Sequence, residues 1–278
     1  MAAQRFRPAT SAEIGRLART LTATRVFGDA LELQAVSGAE SWRVQVSSKG
    51  DVVVLGRWRD HLPYLSIEAL WCPVSRSEMA LAEIRRIATE QGMNDVISPP
   101  TPVEDMHFYE SAGMRIHTLV SAYRLVRSAD APATDPPQEV SLRVAGAQDL
   151  PALLDLDARC FDAFWRYDLR HLERFLASAR LALAERGGEV VGYTLCTLSG
   201  GEGLLGRLCV APEWRRRGIG SALVRDAVGH VWEQGGRNVT LSTQIDNAAS
   251  QELYRRERFR DTGRSYAFLR FGTDERVR

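Results

Sequence analysis

The chain has 278 residues, of which 45% are hydrophobic and 26% charged, with a formal net charge of +1. That balance fits two ordinary globular domains or one large one, and it excludes the strong positive field of a nucleic-acid or membrane-surface binder. No apolar run approaches the roughly 20 residues of a membrane helix, and the opening "MAAQRFRPATSAEIGRLART" has no apolar signal core, so a cytoplasmic protein is expected.

Cys72, Cys160, Cys196 and Cys209 show no CxxC spacing, and the histidines form no HxxxH pair. Neither a metal site nor a disulfide framework is expected, and a reducing compartment is. Lys49 is the only lysine, an arginine bias that fits a GC-rich bacterial genome.

In chain order, "RFRPAT" reads as a first strand and "SAEIGRLARTL" as a helix opened by Ser11, with Glu13 as an imperfect capping-box partner. "SWRVQVSSKGDVVVLGRW" is a hairpin, and "YLSIEALWCP" a strand stopped by proline. "SEMALAEIRRIATEQG" is a long helix and "DVIS" a short strand; "FYESAGM" and "SAYRLV" then give a helix end and a terminal strand. Residues 128–138, "SADAPATDPPQ", carry three prolines and no large apolar side chain, the composition of a linker.

The second half repeats the order. "SLRVA" is a strand, residues 147–161 and 168–179 are helices, and 180–199 is a hairpin turning at Gly187-Gly188. "GLLGRLCVA" is a strand broken by Pro212. From Gly218 to Gln234 runs a helix with Ile219, Leu223, Ala227 and Val231 on one face, closed by Gly235-Gly236. A strand at 237–244, a helix at 247–259 and a strand at 264–271 complete it. "LYRRERF" and "SYAFLR" echo "FYESAGM" and "SAYRLV", so the protein reads as two diverged copies of one unit.

One difference separates the copies. Where the second has "APEWRRRGIGSAL", the first has the shorter "CPVSRSEMAL", without a glycine. A helix start offers unpaired N–H groups and the positive end of the dipole, which together hold an anion. Gly218 and Gly220 let a phosphate approach the backbone, and Arg215, Arg216 and Arg217 add forked donors. There is no GxxxxGK[ST], and the third glycine of a GxGxxG would fall at Leu223, which disfavours Walker-type and dinucleotide folds.

Val210-Ala211-Pro212 precedes Arg215, Gly218 and Gly220, and Asn247, Ser250, Leu253, Tyr254 and Phe259 follow in order. These match V-x-P, [RQ]-x-x-G-x-[GA] and N-x-x-[small]-x-x-L-Y-x-x-x-G-F. In this, residues 139–271 resemble the GNAT superfamily of acyl-CoA-dependent N-acyltransferases, and residues 1–127 resemble it weakly through the repeat. The layout is similar to that of the mycothiol synthases. The resemblance implies a mixed α/β fold: two domains, each a mostly antiparallel mixed sheet with flanking helices and a splayed central pair of parallel strands, followed by a tail at 272–278. The first copy is expected to be degenerate.

For acetyl-CoA the resemblance implies a pyrophosphate on the backbone of Arg216, Arg217, Gly218, Ile219, Gly220 and Ser221, with Arg215 beside it. The pantetheine would pair with the backbone of Leu208, Cys209 and Val210, Asn247 would contact the cofactor, and Tyr254 would protonate the leaving thiolate. The strand "GLLGRLCV" has no glutamate where many relatives carry a base. Glu202 is the nearest carboxylate before it, Asp246 lies after the opposite strand, and a water relay is an equal alternative. Arg258 stands where glycine is usual, so a different turn is expected there. In the connection "CFDAFWRYDL", Arg166 and Tyr167 are the candidates for contact with the acceptor.

The expected activity is transfer of an acetyl group to a primary amine, preferably of a small molecule, by direct attack on the thioester. A ribosomal-protein-type N-terminal acetyltransferase and a non-catalytic acyl-CoA sensor or scaffold are the alternatives. No nucleic-acid, membrane or metal partner is expected, and the chain would be a monomer or homodimer.

Overall fold

The structure is a computed structural model that describes residues 6–23, 40–127 and 136–272. Most of the expected linker and all but the first residue of the expected tail lie outside these residues. Two compact units emerge. They differ from the contiguous halves read from the sequence, because the first comprises residues 1–118 together with 266–278 and the second comprises 119–265.

The first unit begins with strand β1 (Phe6–Pro8) and helix α1 (Ser11–Ala23). The cap is Thr10 rather than Ser11. The Thr10 hydroxyl accepts from the Glu13 N–H at 3.4 Å while a Glu13 carboxylate oxygen accepts from the Thr10 N–H at 2.9 Å. This is a capping box of the ordinary spacing, worth about 1 kcal/mol. Strands β2 (Val44–Ser47), β3 (Val52–Arg57), β4 (Tyr64–Trp71) and β5 (Asp95–Ile97) follow, with helix α2 (Ser77–Glu90) between the last two. After β6 (Thr101–Pro102) and the single turn α3 (His107–Glu110) comes β7 (Arg115–Val126).

The second unit adds β8 (Ser141–Val144), helices α4 (Leu150–Cys160) and α5 (Leu169–Ser178), and the meander β9 (Arg180–Arg186), β10 (Glu189–Ser199) and β11 (Glu202–Val210). Helix α6 (Ile219–Glu233), strand β12 (Asn238–Gln244), helix α7 (Ala248–Arg256) and strand β13 (Arg260–Gly272) complete the described chain. Ile219, Leu223, Ala227 and Val231 are all buried on α6, as their spacing requires.

Both sheets have one topology. In the first unit, β1, β2, β3 and β4 run antiparallel, β5 lies parallel to β4, and residues 270–272 of β13 pair antiparallel with β5. In the second, β8, β9, β10 and β11 run antiparallel, β12 lies parallel to β11, and residues 120–126 of β7 pair antiparallel with β12. The last of the described strands therefore closes the sheet of the first unit. Both meanders also carry a bulge at the matching place, leaving Glu68 unpaired in β4 and Gly206 unpaired in β11. A bulge bends its strand and raises the local twist, and in each unit it lies just past the three residues over which the parallel pair is bonded.

The end of α7 corrects a sequence expectation. The turn is a Schellman motif despite Arg258: the Phe259 N–H donates to Tyr254 O at 2.9 Å and the Arg258 N–H to Arg255 O at 3.0 Å. Arg258 adopts the left-handed conformation itself, at φ +65°, and Phe259 packs edge-on against Tyr254 at 6.0 Å. After α3 the same turn has Gly113 at φ +85°, with the Met114 N–H donating to Tyr109 O at 3.1 Å.

Candidate functional site

In the second unit β11 and β12 are paired only from Glu202↔Asn238 to Leu204↔Thr240. Past that point a cavity of about 430 Å³ is lined by Leu208 and Val210 of β11, by Gly218, Gly220 and Ser221 at the start of α6, and by Asn247 and Leu253. Strands that part expose backbone N–H and C=O groups, which an extended ligand can pair with.

The start of α6 is built for an anion. Gly218 sits at φ +83° just before the helix, a conformation that costs other residues roughly 1–2 kcal/mol. Arg216, two residues earlier, is also left-handed at φ +63°, so the loop holds strain of the kind found at functional sites. At Gly220 a Cβ would stand 3.2 Å from Leu253 Cδ2 and 3.8 Å from Val210 Cγ2. Any side chain there would intrude on the cavity wall. A phosphate-bearing ligand fits these features: an open helix start, no Cβ at Gly220 and cationic side chains around it.

The three arginines do different things. Arg215 Nε donates to Val210 O at 3.1 Å. Arg216 is exposed, lines the cavity and lies 3.8 Å from Glu252. Arg217 stacks over Trp214 at 4.6 Å and is absent from the cavity wall. Arg256 on α7 does line it, paired with Glu252 at 2.8 Å. Its position one turn after Glu252 gave no signal in the sequence.

Other expected residues are placed as follows. The side chain of Ile219 belongs to the core. Cys209 lines the cavity while its thiol turns inward to Leu156 O at 3.7 Å. Asn247 caps α7, its Oδ1 accepting from the Ser250 N–H at 3.1 Å, and also lines the cavity. Tyr254 is buried beside Tyr123 and Phe259 in the core and is not part of the cavity wall; burial pushes its phenol well above the ordinary range. Asp246 is exposed.

Glu202 is a correction. It lies at the far end of β11, 3.5 Å from Arg124 and accepting from Asn238 Nδ2 at 3.4 Å. Eight residues of strand at about 3.3 Å each separate it from Val210, roughly 26 Å. It cannot take a proton at the cavity. Among the described residues lining the cavity, Glu252 is the one carboxylate, and it is occupied by arginines.

The acceptor candidates rest on a buried network that sequence reasoning missed. Arg207 of β11 donates to the Asp157 carboxylate at 2.9 and 2.8 Å and to Trp165 O at 2.7 Å. Its guanidinium lies between the rings of Phe161 and Tyr167, 3.7 Å from each. The Tyr193 hydroxyl donates to Asp157, and the Tyr167 N–H does so at 2.8 Å. Tyr167 thus packs on the network rather than standing free, and it stacks on His171, whose Nδ1 meets Asp168 at 2.7 Å. Burial alone lowers the Arg207 pKa, but Tyr193, Tyr167 and Asp157 raise it above its ordinary value. Arg166 is half-buried with its Nε unpartnered. The signal for this network was charge inside two apolar runs, Arg207 in "LLGRLCV" and Asp157 beside Asp155 in "ALLDLDA".

A family model, described as the acetyltransferase (GNAT) family, matches residues 150–258. The chain carries a GNAT acetyltransferase domain. Over 134 residues it is 33% identical to the mycothiol acetyltransferase of Clavibacter sepedonicus, covering 45% of this chain and 44% of that one. The matched segment is therefore less than half of that relative. It is also 23% identical over 119 residues to a putative [ribosomal protein bS18]-alanine N-acetyltransferase of Bacillus subtilis, covering 42% of this chain and 79% of that one. In fold the likeness is longer. A tandem GNAT protein from the clavulanic acid biosynthesis pathway matches with a TM-score of 0.70 at 18% identity, over 98% of this chain and 99% of that one. The GNAT domain thus holds the cavity and the glycine–arginine loop, and the remaining chain shares a two-unit fold with that structure.

Proposed function

We propose that the GNAT domain binds acetyl-CoA and transfers the acetyl group to a primary amine of a small molecule. The observation that carries this is the cavity between β11 and the starts of α6 and α7, with Gly218 left-handed and Gly220 bare against Leu253. The N–H groups from Arg216 to Ser221 would hold the pyrophosphate, with Arg216 and Arg256 as the cations at hand. Bound there, the donor supplies an activated thioester carbonyl. The N–H of Val210 or its neighbour would polarise that carbonyl, and the backbone of Leu208 and Val210 would pair with the pantetheine.

Tyr254 is the proposed acid. A phenol is protonated at neutral pH, as an acid must be, and burial makes this proton harder to give up, so the role depends on the bound donor reaching the hydroxyl behind the cavity wall. With Glu202 removed, the amine would lose its proton to a water relay. The first unit would not hold acetyl-CoA, because residues 72–76 join β4 to α2 without a glycine.

Likeness to the bS18-alanine N-acetyltransferase supports a second reading, acetylation of a protein N-terminus. Likeness over part of a mycothiol acetyltransferase supports the small-molecule acceptor. Calorimetric titration with acetyl-CoA, followed by a screen of small amines beside Ala-starting peptides, separates the two. One site per chain is expected, and no saturable binding would sink the proposal.

A further inference from the structure

The cavity passes through the sheet. Successive side chains of a strand point to opposite faces, and β11 obeys this past its bulge. Leu208 and Val210 pack with Ile219 and Leu223 of α6, whereas Cys209 packs with Leu153 and Leu156 of α4 on the other face. The cavity is lined from both sides, by Gly220 at the start of α6 and by Phe161 just beyond α4. The way through is the gap past Leu204↔Thr240, where β11 and β12 are no longer bonded. A ligand with its phosphates at the start of α6 would send its other end through this gap, towards Phe161.

That ring is not free to swing aside. It packs against the core between α4 and the sheet, and the Arg207 guanidinium lies over it at 3.7 Å. The guanidinium is itself pinned, by the Asp157 carboxylate at 2.9 and 2.8 Å, by Trp165 O at 2.7 Å and by the Tyr167 ring at 3.7 Å. The bulge is what aims Arg207 at α4: Leu205 packs with Val224 and Val231 on the α6 face, and the unpaired Gly206 then reverses the alternation. The neighbouring wall residue, Cys160, turns its Sγ to Val210 O at 3.4 Å, which leaves Phe161 as the bulky end of that wall.

We propose that Phe161 determines which acyl group the donor can carry: its ring, fixed by Arg207, closes the α4 end of the cavity behind an acetyl group and selects against longer chains. This rests on reading the cavity as the acetyl-CoA site. Phe161 is the residue that meets the acyl group, and Arg207 is a positioning residue that acts through the ring. A buried ion pair adds little stability over apolar residues of the same volume; this one holds two rings at a set distance. Arginine suits that task better than lysine, because a planar guanidinium stacks on an aromatic face while its edge N–H groups stay bonded. A longer chain has to displace the ring, and the ring cannot move without breaking its contact with a guanidinium held at three other points.

The test is calorimetric titration of the full chain with free CoA and with acetyl-, propionyl-, butyryl- and hexanoyl-CoA. Affinity should fall about tenfold or more from acetyl- to butyryl-CoA, the scale on which a pocket senses added methylenes, and further with hexanoyl-CoA. Phe161→Ala should keep the acetyl-CoA affinity and bring butyryl-CoA to within about threefold of it. Phe161→Leu, the milder change, should move the ranking in the same direction by a smaller step. Arg207→Lys keeps a cation for Asp157 but loses the planar stack, so it should lose part of the discrimination while acetyl-CoA still binds, a pattern that a general loss of structure would not give. Equal affinity for hexanoyl- and acetyl-CoA in the unaltered chain, or an unchanged ranking in both Phe161 variants, overturns the proposal. An unchanged ranking in Arg207→Lys overturns the part given to Arg207. Free CoA separates the failures: if it binds while the acyl ranking is flat, only the chain-length reading is wrong, whereas no binding of free CoA or acetyl-CoA means that the cavity reading has fallen too.

Discussion

The two units share a sheet topology, a bulge and a parallel pair that parts early, yet they start the helix that joins the two strands of that pair in opposite ways. In the first, residues 72–76 run directly into α2. In the second, residues 211–218 pass through two left-handed residues, Arg216 and Gly218, before α6 begins. At the other helix the contrast reverses. The first unit closes α3 with Gly113, which takes the left-handed turn freely, while the second forces Arg258 into it. The scaffold is common to both. The glycines are spent where a ligand would need bare backbone, and the turn behind Tyr254 is left to an arginine.

The largest test of that contrast concerns the buried pair under the site. Arg207→Ala should destabilise the protein by about 3–5 kcal/mol, since it strands Asp157 without its cation. Urea unfolding would measure this, and a loss below about 1 kcal/mol would mean that water replaces the guanidinium. Gly220→Phe should cost about 100-fold or more in acetyl-CoA affinity, some 2.7 kcal/mol, with the circular dichroism spectrum unchanged. Undiminished affinity by calorimetry would place the donor elsewhere.

Alkaline stability sharpens the comparison further. Cys196, across the bulge in β10, stands where β3 has Leu55, and burial pushes its thiol up to about 11. A raised native pKa gives stability that is complete below the unfolded value of about 8.5 and lost as pH climbs towards 11. Between those limits the loss from this group should be on the order of 2–3 kcal/mol, seen as a falling Tm. Cys196→Ala should flatten that fall, and a fall of equal depth in the variant would assign it to other groups.

Tyr254→Phe should lower turnover about 100-fold or more, the lower end of general-acid effects, with acetyl-CoA affinity kept. Tyr109→Phe should change neither. Equal turnover in Tyr254→Phe would remove that residue from the chemistry. The smallest effect is at the turns. Arg258→Gly should stabilise by up to about 1 kcal/mol and Gly113→Arg should destabilise by a similar amount, both readable as Tm shifts.

Periodicity made most elements readable. The α6 face of Ile219, Leu223, Ala227 and Val231 was visible because a buried helix repeats its apolar positions every three or four residues. The loop was visible because glycine and arginine together have few other uses at a helix start. Three features were not readable, each for a physical reason. Arg258 looked incompatible with its turn, yet an L-residue can enter the left-handed region when packing of Phe259 on Tyr254 stabilises the motif. The Asp157–Arg207 pair joins residues distant in the chain, and local pattern carries no information about which charges meet. The nearness of Glu202 to the loop in sequence misled, since a strand carries its two ends far apart.

The closing strand has a consequence for synthesis. When the ribosome has released residues 1–118, the first sheet has β1 through β5 but lacks residues 270–272, which pair with Ile97, Val96 and Asp95. Until those residues emerge, β5 presents an open edge of unpaired N–H and C=O groups, a known template for association with other chains. The first unit must wait for residues more than 140 positions later in the chain, so its completion carries the long loop closure that slows folding. Holdase chaperones that cover this edge during elongation would protect the chain until its partner strand arrives.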